Sequence, residues 1–160
     1  VLLTGRPLWD PSNFSDMQQL VGVQRTFTAK ISGVQHLNYW ERLKALKVMS
    51  LQRRRERYII LQMWKILHDL TPNDLNITFA DPSRLGLQAI VPSINKTSKQ
   101  RHQSIYDNSF AVLGPRLWNA LPSSLSNSSF SQQQFKNRLT DYFNSIACYT
   151  FAVSSCLIKV

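Results

Sequence analysis

Four arginines in five positions, Arg53, Arg54, Arg55 and Arg57, stand in the stretch LQRRRERYIILQMWKILHDL, residues 51–70. A guanidinium is a planar, permanently charged fork that matches the paired oxygens of a phosphate, whereas lysine serves equally well for bare solubility. The placement carries a cost. Arg53 and Arg54 fall at the head of the helix this stretch predicts, where a cation opposes the macrodipole by roughly 0.3–1 kcal/mol each. An anion beside that helix head turns the penalty into a gain. Arg53 and Arg57 share a helical face, while Arg55 lines up with Ile59 and Met63, so that its stem covers the apolar edge. Glu56, three residues after Arg53, neutralises part of the cluster. The expected phosphate contacts are Arg53, Arg54 and Arg57, with Arg55 partly structural. A second basic patch, Lys96, Lys99 and Arg101, is the weaker candidate and lies in a polar loop. The plain alternative for both patches is a solvated charged face.

The cluster sits in a basic chain. Nineteen Lys and Arg against nine Asp and Glu give a formal net charge of +10 and a pI near 10.1. That balance favours a polyanionic partner such as nucleic acid or an anionic membrane surface. Between Arg25 and Lys65 ten basic residues face only Glu41 and Glu56. Catalytic constellations are missing by contrast. There is no G-x-S-x-G, Walker A, dinucleotide fingerprint or His-Glu-x-x-His. His36, His68 and His102 are scattered, the acids are isolated, and Cys148 and Cys156 fit no common zinc spacing. No metal site, cofactor or small-molecule substrate is expected. FADPS at 79–83 resembles a polymerase turn only superficially, because Pro82 stands where a second aspartate would be needed. Trp40, Trp64, Trp118, Phe135 and Tyr142 have the helical spacing of core residues and are assigned there rather than to base stacking.

The elements that must position these residues read as mostly α-helical. Residues 1–13 are an irregular lead-in. Residues 14–74 form a three-helix basic segment. Its first helix is capped by Ser15 or Asp16 and ended by Gly33, with Met17, Leu20, Val21, Gln24, Phe27 and Ile31 set against a core. The second starts at a capping box, Asn38 with Glu41, and turns Leu43 and Leu46 inward. The third is capped by Ser50, buries Ile59, Met63, Ile66, Leu67 and Leu70, and is stopped by residues 71–74. Residues 75–104 lose the helical period and are expected to form an irregular basic connector, with residues 85–92 read as a short strand. In 105–146 a helix runs to Gly114, Pro115 opens a second, a serine-rich connector follows, and a last helix begins near Phe130 under a Ser131–Gln134 cap. Residues 147–160 are an apolar tail, too short and too polar for a membrane span of about 20 residues. The Asn-x-Ser/Thr matches at Asn13, Asn76, Asn95 and Asn127 are treated as chance. With no signal peptide evident, an intracellular protein is expected, and the opening valine suggests a fragment or a conceptual translation.

The order of motifs adds a resemblance. Residues 8–68 carry Trp9 to Pro11, a Val-Gln-Arg-x-Phe-Thr run at 23–28, Tyr-x-x-Arg-Leu-x-x-Leu at 39–46, Ser-Leu leading to an arginine pair at 50–54, and Lys-Ile-Leu-His at 65–68. Farther on come Phe-x-x-x-Gly-Pro-Arg-Leu-Trp-Asn-x-Leu-Pro at 110–122 and Phe-Lys-x-x-Leu at 135–139. In this order and with similar gaps, residues 8–146 resemble the region after the polymerase palm in reverse transcriptases of non-LTR (LINE-type) retrotransposons. Any one motif is weak, and the series is specific. The resemblance implies a helical, bundle-like thumb and C-terminal extension that hold a template–primer duplex beside a polymerase site located upstream. It implies no polymerase activity for this chain alone, which lacks the palm with its metal-binding aspartates and the endonuclease domain. The implied partners are RNA or an RNA–DNA hybrid, contacted at the backbone by residues 52–57, and the palm domain itself. The competing expectation is a remnant that serves only as a protein-packing module, marked by an exposed apolar patch.

Overall fold

A computed structural model describes residues 14–73, 76–79, 89–90, 109–126 and 129–145. The described part is mostly helical: α1 (Phe14–Ala29), α2 (Tyr39–Ala45), α3 (Leu51–Leu67), α4 (Phe110–Asn119), the single turn α5 (Ser123–Ser126) and α6 (Gln132–Ser145). Among the described residues the only β pairing is one antiparallel bridge, Phe79 with Ala89.

Local chemistry sets the starts. Asn38 Oδ1 accepts from the backbone N–H of Trp40 and Glu41, and the Glu41 carboxylate accepts from Asn38 N at 2.9 Å, a complete capping box. Ser50 Oγ accepts from Arg53 N at the head of α3. The Ser131–Gln134 box at α6 is also present, with bonds of 3.0 and 3.3 Å. These three starts were legible in sequence. The ends of α2 and α3 are different. Each closes in a Schellman motif built on a non-glycine residue in the left-handed region: Lys47 (φ 53°), with Val48 N donating to Leu43 O, and Asp69 (φ 54°), with Leu70 N donating to Lys65 O. α3 therefore stops at Leu67, before the Thr71–Pro72 signal, and Leu70 is exposed rather than buried.

Three further expectations are corrected. α1 already includes Ser15 and Asp16 and ends at Ala29, four residues short of Gly33, which supplies a positive φ in the following turn. Pro115 does not open a new helix. It lies inside a continuous α4 that starts after Ser109, and Leu113 N donates to Ser109 O at 2.8 Å to complete the first turn. The serine-rich connector contains the turn α5, whose Leu125 and Ser126 are buried and whose backbone bonds to Pro122 O. The lead-in, the apolar tail and most of the 75–104 connector lie outside the described residues.

The main core lies among α3, α4 and α6. Ile59, Ile60, Met63, Trp64 and Ile66 of α3 pack with Leu117 and Trp118 of α4 and Phe135, Leu139 and Phe143 of α6. α3 buries a wider face than a single stripe because partners flank it on two sides. Trp64 stacks on Phe135 at 5.6 Å, and Trp118 lies 6.1 Å from the same ring. Trp64, Trp118 and Phe135 are thus core residues, as expected; Trp40 and Tyr142 are only half-buried. α4 lies close against α3 at Gly114, since a Cβ there would lie 2.8 Å from Met63 Sδ. The connector is tied down by an amide: Asn119 Oδ1 accepts from Ala89 N and its Nδ2 donates to Ala89 O, both at 2.8 Å.

α1 and α2 form a second, smaller packing unit held largely by polar contacts. Tyr39 Oη donates to Gln24 Oε1 at 2.8 Å, and Gln24 Nε2 donates to Met49 O. Buried Arg42 donates to Leu37 O at 2.6 Å and to Thr28 Oγ1 at 3.4 Å. Arg25 lies over the Tyr39 ring. The buried face of α1 runs through Val21, Gln24, Thr28 and the following Ile31, so the expected stripe is split: Leu20 (46% exposed) and Phe27 (68%) point outward together with Val23 (68%).

Candidate nucleic-acid interface

The helix head that carries the arginines is fixed from both sides. Ser50 is buried and bonds Arg53 N, and Arg54 N donates to Ser50 O at 3.0 Å, so the first turn is set before any side chain is considered. From that turn the four arginines take different surroundings. Arg54 is exposed, while Arg53, Arg55 and Arg57 are half-buried, with the Nε atoms of Arg53 and Arg55 buried. Burial holds the Arg55 guanidinium below its ordinary range, opposed by the neighbouring charge of Glu56. This agrees with its expected packing role.

Glu56 is the hidden counter-charge of the cluster. It is only 1% exposed, and its Oε1 accepts from Gln52 Nε2 at 3.0 Å. A carboxylate placed there offsets the desolvation of Arg55 without occupying the outer surface. Positive charge therefore dominates what solvent meets at the head of α3.

Arg57 is tied to the far end of the chain. Its Nε donates to Thr140 Oγ1 on α6 at 3.1 Å, across 83 residues of sequence. Arg54 and Arg57, three residues apart, are surface neighbours on one face, with Cβ atoms about 5–6 Å apart in a regular helix. Arg53 lies on the same side, one turn before Arg57. On a regular helix Arg53, Arg54 and Arg57 take adjoining positions, yet Arg53 shares with Arg55 a half-buried side chain and a buried Nε, so that Arg54 alone of the four is exposed. Lys96, Lys99 and Arg101 lie outside the described residues.

Sequence reasoning missed Thr140 altogether. Its nearest local signal is a threonine in the middle of an amphipathic helix, which says nothing about a residue on α3. It also passed over exposed Arg116 of α4 and over Arg138 of α6, whose guanidinium lies 4.3 Å from the Phe130 ring centroid.

Guanidinium N–H groups such as those of exposed Arg54 are donors of the kind that anionic oxygens accept. Among the described residues no group of three or more His, Cys, Asp or Glu side chains is placed to hold a metal ion. Nor is any described helix long and apolar enough to cross a membrane. Comparison with protein-family models, with curated proteins and with solved structures gives no match.

Proposed function

We propose that this chain is a non-catalytic, bundle-like thumb module from the C-terminal part of a non-LTR retrotransposon reverse transcriptase, and that it grips template–primer nucleic acid by its phosphates. One observation carries the binding half of the reading. Arg54 and Arg57 share the face of the α3 head while the one acid among them, Glu56, is sequestered in the interior. The order of motifs along residues 8–146 supports the family half. Phosphate contacts position a polyanion without reading its bases, so sequence preference should be weak. On this reading the chain works inside the cell, in a ribonucleoprotein of the nucleus or cytoplasm. It needs no cofactor, small-molecule substrate or membrane, and an upstream palm domain would supply the polymerase chemistry.

The test is binding to a short RNA–DNA hybrid across a salt series, comparing wild type with Arg53, Arg54 and Arg57 all changed to Gln. Three lost phosphate contacts flatten the log–log salt slope by about 2 to 3 units. Equal slopes and affinities in two folded proteins would sink the proposal.

A second reading rests on α1. Leu20, Val23 and Phe27 make an outward apolar stripe, as a module that packs against another protein domain would carry. That reading, an interaction remnant without nucleic-acid binding, takes over if the arginine substitutions change nothing.

A further inference from the structure

The contact between Arg57 and Thr140 has a direction fixed by chemistry. A threonine hydroxyl has one proton and two lone pairs. Thr140 spends its proton on its own helix, donating to Lys136 O at 2.8 Å. It therefore meets Arg57 as a committed acceptor, and it takes the Nε–H of the guanidinium at 3.1 Å. That is the inner edge of the fork. The terminal Nη1 and Nη2 groups, with their four N–H bonds, make no hydrogen bond or ion pair among the described residues. An arginine held at Nε loses much of its side-chain freedom and keeps the nitrogen pair at its tip for a bidentate ligand.

The helix pairing makes this hold rigid. Arg57 meets Thr140 and Trp64 meets Phe135, so α3 and α6 run antiparallel, and the aromatic contact lies about two turns along α3 from the threonine. Leu139 and Phe143, which flank Thr140 on α6, are fully buried. The hydroxyl is thus carried on a backbone anchored on both sides by core residues. The same device occurs in the smaller unit, where Thr28 Oγ1 donates to Arg25 O and accepts from Arg42 Nε. There the arginine is buried and its Nη1 is used internally on Leu37 O. At Arg57 the corresponding nitrogens have no such internal use.

From this geometry we infer that Thr140 is a positioning residue that aims the Arg57 fork at a phosphodiester group, so that the grip is built by two helices rather than by the α3 head alone. The inference rests on the nucleic-acid reading above and adds to it a requirement: α6 must be docked on α3 for tight binding. Charge alone would not need Thr140, whereas a preorganised bidentate contact does.

A double-mutant cycle in the full chain tests it, with Thr140→Val and Arg57→Gln singly and together, binding to the same RNA–DNA hybrid read across the salt series and folding monitored by thermal unfolding. Thr140→Val leaves the charge unchanged and removes only the acceptor. It should weaken binding about three- to tenfold, the worth of one ordinary hydrogen bond. In the Arg57→Gln background it should have no effect on binding, and Thr140→Ser should restore wild-type affinity. A purely structural role for Thr140 would weaken binding equally in both backgrounds, and that result overturns the inference. So does wild-type affinity in Thr140→Val when the triple arginine variant binds poorly. If the triple arginine variant itself binds like wild type, the nucleic-acid reading falls first and this inference falls with it.

Discussion

At the scale of single residues, the polar side chains of the sequence motifs divide into those that hold the fold and those that face outward. Gln24, Arg25 and Thr28 of the 23–28 run each engage a side chain of α2, while Val23 and Phe27 of the same run are exposed. Tyr39 shows how this can be measured. Burial pushes its phenol above the ordinary 10.0, against the lowering pull of Arg25 and Arg42. A raised folded-state pKa means that the native protein keeps the proton longer than the unfolded chain, so stability is lost as pH rises beyond 10. Half-buried Tyr142 shifts in the same direction, also through loss of hydration. Tyr39→Phe should cost about 1 kcal/mol at neutral pH by breaking the bond to Gln24, and should make the alkaline loss shallower in urea titrations run between neutral pH and pH ~11. An unchanged alkaline slope would show that Tyr39 does not carry it.

Elements impose their own costs. Two helices end on residues whose left-handed backbone an L side chain resists. Lys47→Gly should therefore stabilise the chain by about 0.5–1 kcal/mol, and Asp69→Gly by less, because aspartate tolerates that conformation better than lysine. Thermal midpoints order the two variants, and a destabilised Lys47→Gly would contradict the argument. At the crossing of α3 and α4 the effect reverses. Gly114→Val drives two methyl groups toward fully buried Met63, and overpacking of that kind costs about 1–3 kcal/mol, readable as a lower denaturant midpoint. The Gly-Pro-Arg-Leu-Trp-Asn run thus acts chiefly as a docking element: Gly114 and Pro115 set the approach, Leu117 and Trp118 fill the core, and Asn119 holds the connector.

For the whole molecule, the division into an α3–α4–α6 core and a smaller α1–α2 pair predicts unequal stability. The core cluster contains most of the large buried side chains, each worth about 1.5–3 kcal/mol on burial, whereas the α1–α2 contact depends on a few hydrogen bonds around Gln24 and Arg42. Amide exchange should therefore be faster across α1 and α2 than across Ile59–Ile66. The connector is coupled to the core through one residue. Asn119→Ala strips both bonds from Ala89 and should cost about 1–3 kcal/mol, with lost exchange protection concentrated at Ala89 and Ile90. Uniform loss across α4 and α6 instead would mean that Asn119 supports the core and not the connector.

Sequence alone determined what is local. Helical character, the caps at Asn38, Ser50 and Ser131, the aromatic core on three helices and the arginine cluster were all legible, because each depends on residues within about one turn of one another. Tertiary structure decided the rest. Which side of α1 is covered, where Glu56 hides and what aims Arg57 depend on partners outside the local turn, and no local period encodes them. Asp69 and Lys47 ended their helices without the glycine that a sequence rule looks for, since backbone bonds to Lys65 and Leu43 hold them in the left-handed region. The arginines were visible from the start. That Arg54 is left exposed while the other three are half-buried is decided only when α6 and the core close around α3.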